Sequence, residues 1–351
     1  MSLKKGYTTG TCSQAATKAA CLMLSRQVPL GKVEVVTASG VKLQLRVGDQ
    51  KISQGSASCS VVKDAGDDID VTHGAKIFSQ ARVLDHTGII LKGGKGIGKV
   101  TKPGLAVGVG DWAINPVPRK MILAEAAQFL SRKIKGLEIT ISVPQGRELA
   151  AKTFNPQLGI IGGISIIGTT GIVEPKSLDA YKASLALQLS VLKAQGHKKA
   201  VLVLGYMGER FCQEKLKLKS DEIIKIGDHV GFMLEQCAQK KFTEVLLIGH
   251  IGKLIKLTNG QFNTHYSFGD QRIESIGRYA KAAGVDKLIL KKILQQKTAE
   301  ATVAILKKAK LANVFFKIAQ DVSRQARELV KHKLKINCLI LSLKGEVLAS
   351  S

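Results

Sequence analysis

Paired cysteines are missing from this chain. Its six, Cys12, Cys21, Cys59, Cys212, Cys237 and Cys338, form no CxxC and follow no regular spacing. That argues against a disulfide framework and predicts reduced thiols in a cytoplasmic protein. Aromatics are scarce too, at 5% of residues with Trp112 the single tryptophan. A nucleic-acid reader interleaves such rings with basic residues so that bases can stack, and that interleaving is absent. The longest apolar run, GIIGGISIIGTTGIV at 159–173, is too short and too glycine-rich to span a membrane. The run behind Lys4 and Lys5 imitates a signal peptide, but Gln14, Lys18 and several hydroxyls interrupt it, so a soluble, unsecreted protein is expected. Acidic residues are outnumbered, 27 against 53 basic ones, for a net charge of +26. A field of that size gathers anions, whether nucleic acid or a small polycarboxylate. The lysines run from Lys4 to Lys344 with modest clusters at 132–135, 215–219 and 287–292, which suits a generally basic surface equally well.

What is present reads as two halves, and 351 residues suffice for two cores. VEVVT (33–37) and VKLQLRV (41–47) flank a short turn and predict a hairpin. Strand-like runs follow at 58–63, 76–84 and 137–143, with a proline-bounded helix from about 118 to 134. From about 146 the rhythm changes to apolar strands alternating with helices: KKAVLVLG, EIIKIG and TEVLLIG, then helices through 270–333 and a late INCLILSL. That is the pattern of a parallel sheet covered on both faces. The expected fold is therefore α/β in two domains. Residues 1–145 form an α+β domain with a mixed or antiparallel sheet, and residues 146–351 a doubly wound, Rossmann-like domain.

Four stretches could carry chemistry. KKGYTTGTCSQAATKAACLML (4–24) is a helix start in which Thr9 or Thr11 serves as N-cap, or an anion cradle built on the same free N–H groups. GGKGIGKVTKPG (93–104) satisfies GxxxxGK, but Val100 stands where the Mg²⁺-binding hydroxyl belongs and Pro103 argues against a following helix. It reads instead as a flexible basic loop that closes over an anion. VVKDAGDDIDVTHG (61–74) packs four aspartates, yet counting from Asp68 places His73 where an EF-hand needs glycine. It is either a turn knit by Asx bonds or a group of carboxylates that attracts a cation or accepts a proton. VLGYMGER (203–210) and LIGHIGKL (247–254) are glycine turns after strands, where doubly wound sheets bind ligands, though neither is GxGxxG. His250 and His265 could be ligands, bases or structural residues, with no HExxH or nucleophile elbow beside them.

Taken together, GYTTGTCSQAATKAA, VVKDAGDDIDVTHG, GIGKVTKPGLAVGVGDWAINPVPRKM, TFNPQLGIIGGISIIGTTGIVEP and LLIGHIGKLIKLTNGQFNTHYSFGDQRIE resemble the cobalt-precorrin-5B C1-methyltransferases of oxygen-independent cobalamin biosynthesis. The likeness runs in order from Gly6 to about Glu274. Ile69, Trp112, Lys176 and the GYMGE turn depart from the family pattern. The resemblance implies methyl transfer from S-adenosylmethionine to C1 of cobalt-precorrin-5B, giving cobalt-precorrin-6A. Cobalt then arrives inside an anionic tetrapyrrole, and no protein-bound metal is needed. It further implies that Thr8, Thr9, Thr11, Lys63, Arg119 and Lys253 meet the substrate's carboxylate arms. Asp64 and Asp68 would be catalytic, steering the sulfonium or serving as base, with His265 as the rival base. By analogy with other strand-end loops, Gly205, Gly208, Gly249 and His250 would line the adenosyl site near the domain interface. A basic nucleic-acid-binding protein and a non-catalytic tetrapyrrole carrier are the alternatives. A homo-oligomer is left open, and no membrane partner is expected.

Overall fold

The computed structural model describes residues 3–175 and 177–351, so the departure at Lys176 lies outside the described residues. The chain divides into two compact units, Met1–Leu178 and Asp179–Ser351.

In the first unit β1 (Gly6–Tyr7) leads directly into α1 (Thr9–Arg26). The hairpin β2 (Lys32–Val36) and β3 (Lys42–Arg46) follows, then β4 (Gly48–Ser53), β5 (Ser56–Val62), β6 (Lys76–Leu84), β7 (Gly88–Gly93) and the short β8 (Lys99–Val100). Helix α2 (Pro116–Ala127), β9 (Gly136–Ser142), α3 (Gly146–Ala150), β10 (Ile160–Ile161) and β11 (Ile172–Val173) complete it. The main sheet has the order β4-β5-β6-β9-β7 and is antiparallel except for the parallel β7–β9 pair. This is the mixed sheet expected of an α+β half. Helix α1 packs on β5, β6 and α2. Its alanines make that possible: Ala15, Ala16, Ala19 and Ala20 are fully buried, and their small side chains let the helix lie close to the strands. Two polar contacts fix its height on the sheet, Thr17 Oγ1 to Ser79 Oγ at 2.9 Å and the Cys59 thiol donating to the Ala16 carbonyl at 3.3 Å.

The boundary falls later than the expected 145/146. The segment after β9 turns back into the first unit, where β10 pairs with β8 and β11 with β1, in the register Gly6↔Val173. These ladders are two residues long and carry no periodic signal, so the sequence pattern did not reveal them.

In the second unit α4 (Leu178–Ala194), β12 (Lys199–Val203), α5 (Tyr206–Glu214), β13 (Ile223–Lys225), α6 (Val230–Gln239) and β14 (Glu244–His250) alternate. Five helices follow: α7 (Ile251–Leu257), α8 (Arg272–Ala282), α9 (Lys287–Leu294), α10 (Ala299–Lys308) and α11 (Asn313–Leu329). The chain closes with β15 (Lys335–Leu341) and β16 (Val347–Ser350). The sheet order is β13-β12-β14-β15-β16, parallel in its first four strands with β16 antiparallel at the edge. From β12 the chain first goes outward to β13, then crosses to the other side for β14. The order therefore reverses between β12 and β14. Alternate residues of β12 enter different apolar clusters: Ala200 and Leu202 join Leu185, Leu247 and Ile340, whereas Val201 and Val203 join Cys212 and Ile248. Both faces of the sheet are thus buried, which is why its strands read as continuous apolar runs.

All six cysteines are free and buried. Burial pushes the thiols of Cys21, Cys59 and Cys237 up to about 12. Among the described residues no helix is long and apolar enough to cross a membrane.

Candidate functional site

The start of α1 is a cap, closed on every side. Thr8, rather than Thr9 or Thr11, is the N-cap, its hydroxyl accepting from the Thr11 N–H at 3.2 Å. The Gly10 N–H donates to the Ile167 carbonyl at 2.9 Å. Thr9 Oγ1 accepts from the Ile167 N–H at 2.9 Å, and Thr11 Oγ1 donates to the Gly171 carbonyl at 2.7 Å. All three threonines are buried, and the hydroxyls of Thr9 and Thr11 bind the glycine-rich segment 165–171 to the helix. Thr8, Thr9 and Thr11 therefore offer no cradle to a substrate carboxylate, which corrects that assignment. Thr11→Val is expected to cost about 0.5–1.5 kcal/mol, because it removes one of two hydrogen bonds at the Gly171 carbonyl, which keeps the one from the Thr8 N–H. Urea unfolding measures the cost, and the KM for an anionic substrate should stay unchanged. A raised KM at wild-type stability would restore the anion role.

The aspartate loop lies directly against the N-terminal strand. The Tyr7 N–H donates to the Asp64 carbonyl at 2.8 Å and the Lys4 N–H to Asp67 Oδ2 at 2.6 Å. Gly6 permits this approach, since a Cβ there would lie 2.2 Å from the Ala65 carbonyl carbon. Two motifs read separately in the sequence are thus one structure. Within it Lys63 points inward: its side chain is 1% exposed and its ammonium pairs with Asp70 Oδ2 at 2.7 Å. The other Asp70 oxygen accepts from the Thr72 N–H and hydroxyl at 2.8 and 2.6 Å. Lys63 is therefore an internal strut, not a contact for substrate carboxylates. Asp64 accepts from the Lys4 ammonium and the Gly66 N–H, both at 2.8 Å. These bonds hold its carboxyl below the usual carboxylate range. A base matched to neutral pH needs the opposite shift, so Asp64 is ill suited to accept a proton. Asp68 sits half-buried in the same loop.

The glycine-rich loop 93–98 is pinned in place. The Gly94 N–H donates to the Ile141 carbonyl at 2.7 Å, Gly98 to Ile164 at 2.9 Å, and Ile164 back to Gly96 at 3.0 Å. The expected flexible loop is thus a packed junction between β7, β9 and the segment 160–166. Arg119 lies exposed on the first turn of α2, and its side chain makes no hydrogen bond or ion pair among the described residues. It is the substrate-contact candidate of this unit whose charged group is available.

In the second unit Gly205 and Gly208 follow the carboxyl end of β12, Gly249 and His250 close β14, and Lys253 lies in α7. Nothing lies within 4 Å of where a Cβ on Gly205 would stand. Gly208 and Gly249 instead serve packing, with added Cβ atoms 3.0 Å from the Val203 Cβ and 3.1 Å from the Leu204 Cβ. His250 is the N-cap of α7, its Nδ1 accepting from the Gly252 N–H at 3.1 Å. That acceptor role places the proton on Nε2, which donates to Glu300 Oε2 at 2.9 Å. Both ring nitrogens of His250 are thus engaged within the protein. Lys253 reaches across the loops, its ammonium donating to the Leu204 carbonyl at 3.1 Å and to Asp228 Oδ1 at 3.0 Å. It too is committed to protein partners. The exposed His265 has Nδ1 2.7 Å from the Ser267 hydroxyl and its ring 4.3 Å from that of Tyr266.

Sequence reasoning missed Asp228. Its signal was the IGDHV that ends the predicted strand EIIKIG, a glycine and an acid at a strand's carboxyl end. Thr264 Oγ1 donates to Asp228 Oδ1 at 2.5 Å. Burial pushes this carboxyl up, but the bonds from Thr264 and Lys253 outweigh it and hold the group below the ordinary range, ionised. The neighbouring His229 ring lies 5.6 Å from that of Tyr181. Among the described residues no group of three or more His, Cys, Asp or Glu side chains is placed to hold a metal ion.

The sequence matches the family model described as CbiD over residues 1–175 and that described as CbiD, C-terminal domain over residues 263–351. It is 45% identical over 351 residues to the cobalt-precorrin-5B C(1)-methyltransferase of Thermoanaerobacter sp. (strain X514), covering 99% of this chain and 95% of that protein. To the protein of the same name from Alkaliphilus metalliredigens (strain QYMF) it is 41% identical, over 99% of this chain and 92% of the other. A 1.9 Å crystal structure of cobalamin biosynthesis protein (cbiD) from Archaeoglobus fulgidus is 29% identical, covers 81% of this chain and 85% of that one, and gives a TM-score of 0.40.

Proposed function

The chain belongs to the CbiD family, and from that premise we propose that it methylates C1 of cobalt-precorrin-5B in anaerobic cobalamin biosynthesis, with S-adenosylmethionine as donor. The observation that carries this reading is identity of 41–45% running through nearly the whole length of both partners in each comparison. Likeness of that extent favours neither a nucleic-acid-binding protein nor a non-catalytic carrier.

Several features support the assignment of parts. The net charge of +26 draws in a tetrapyrrole bearing acetate and propionate arms. Arg119 and its exposed neighbour Lys120 present two cations on the first turn of α2 to such arms. The C-terminal unit serves as a doubly wound, Rossmann-like donor domain, since ligands of such sheets bind outside the strands' carboxyl ends where the order reverses. The open space over Gly205 and the ionised Asp228 fit an adenosyl donor at that place. When bound, the donor supplies an electrophilic methyl group on a sulfonium. The work of the protein's own residues is to hold the macrocycle's nucleophilic carbon in line and exclude water, an effect worth up to about 7–11 kcal/mol. Asp68 and His265 are the groups assigned to accept a ring proton. Free, unpaired cysteines support a cytoplasmic setting.

The test is anaerobic incubation with cobalt-precorrin-5B and methyl-labelled S-adenosylmethionine, read by mass spectrometry. Transfer of one label with formation of S-adenosylhomocysteine is expected. No transfer, with substrate intact and protein folded, overturns the proposal.

A further inference from the structure

We propose that Asp228 is the group that grips the donor's ribose, its Oδ2 accepting from the hydroxyl pair of an adenosyl nucleoside. This deepens the methyltransferase reading and rests on it.

The strand order reverses between β12 and β14, and in doubly wound sheets ligands bind outside the strands' carboxyl ends at such a reversal. Asp228 stands in the loop after β13, three residues beyond Lys225. Its two protein partners, Lys253 and Thr264, both bind Oδ1. Among the described residues Oδ2 receives no hydrogen bond. The carboxylate is therefore fixed in direction on one side and free to accept on the other. An ionised oxygen left without a donor in a partly buried place is costly unless water or a ligand completes it.

Charge then narrows the ligand. A carboxylate repels the anionic arms of the tetrapyrrole and accepts from hydroxyls or ammonium groups. The donor offers both, a ribose diol in its nucleoside and an ammonium in its amino-acid part. The aromatic neighbours favour the nucleoside. Tyr181 and His229 lie beside this loop as a tilted pair, and the Tyr181 hydroxyl lies 3.6 Å from where a Gly227 Cβ would stand. Flat rings beside a hydrogen-bond acceptor suit a base and its sugar better than a charged amino acid. Lys253 is then a positioning residue. By donating at once to the Leu204 carbonyl and to Asp228, it ties the loops after β12 and β13 together. That role replaces its assignment to the substrate's carboxylates.

The test is isothermal titration calorimetry of the full chain with two probes, S-adenosylhomocysteine and adenosine, which lacks the amino-acid part. Asp228→Asn and Asp228→Ser are compared with wild type after circular dichroism shows which variants fold. In any folded variant both probes are expected to bind about 10- to 100-fold more weakly, the loss of charged hydrogen bonds. Unchanged binding of S-adenosylhomocysteine overturns the inference. So does weakened S-adenosylhomocysteine with unchanged adenosine, which would put the carboxylate on the ammonium. Wild-type protein that binds neither probe overturns the donor reading itself and this inference with it.

Discussion

Gly96→Ala is expected to cost more than about 4 kcal/mol and to leave the first unit without a cooperative unfolding transition, an effect reserved for severe steric or packing faults. A Cβ on Gly96 would lie 1.8 Å from the Val143 carbonyl oxygen, at a φ of +76°. Nothing there can yield cheaply, because the obstacles are backbone. A Cβ on Gly146 would lie 2.0 Å from the Gly96 carbonyl oxygen, and one on Gly163 would lie 2.1 Å from it. Three chain segments thus meet through their glycines. Gly110→Ala is the control: φ is +91° there too, but nothing lies within 4 Å. It should show only the left-handed strain, about 1–2 kcal/mol. Urea unfolding of both variants separates crowding from strain. Equal, small losses would mean that the junction can open, contrary to the packing described.

Lys63→Met should lose about 2–4 kcal/mol at neutral pH. Removing one member of a buried pair typically costs about 3–5 kcal/mol. The range is lowered here because the Asp70 side chain is 27% exposed and part of its charge stays hydrated. The variant also has a pH signature. Burial pushes the Asp70 carboxyl up, but Lys63 and the Thr72 bonds outweigh it and lower it from 3.8. A depressed carboxyl stabilises the fold above its unfolded value and loses that contribution as pH falls through the folded one. Without Lys63 the depression shrinks, so the variant has less to lose in acid. The gap in Tm between wild type and variant should be widest at neutral pH and narrow below about pH 4. A gap that holds constant or widens in acid would show that the ion pair is not the source of the loss.

The second unit was the more legible half. Its strands KKAVLVLG, TEVLLIG and INCLILSL carry uninterrupted apolar residues because they are covered on both faces, and that pattern survives in a linear reading. The first unit hid its closure. Pairing of Gly6–Tyr7 with Ile172–Val173 joins the two ends of the unit through four residues, too few for any periodicity. The site residues were hidden for a related reason. Lys63 stands in a segment of four aspartates and is assigned by resemblance to substrate carboxylates, and only the fold turns it inward toward Asp70. The threonines of TTGTC announced a cap, but which hydroxyl caps and which ones bind the segment 165–171 depends on a partner more than 150 residues away. His250 stood in the expected strand-end turn, yet Glu300, fifty residues on, takes its second nitrogen. Asp228 was passed over because a single acid after a strand has no pattern; its meaning comes from Lys253 and Thr264 converging on one oxygen.

The most direct measurement is ¹³C NMR of the corrinoid formed from cobalt-precorrin-5B and [¹³C-methyl]-S-adenosylmethionine under strict anaerobiosis. One new methyl signal, assigned to C1, is the predicted result. Label on any other ring carbon, or none on the macrocycle while the protein remains folded, would contradict the account.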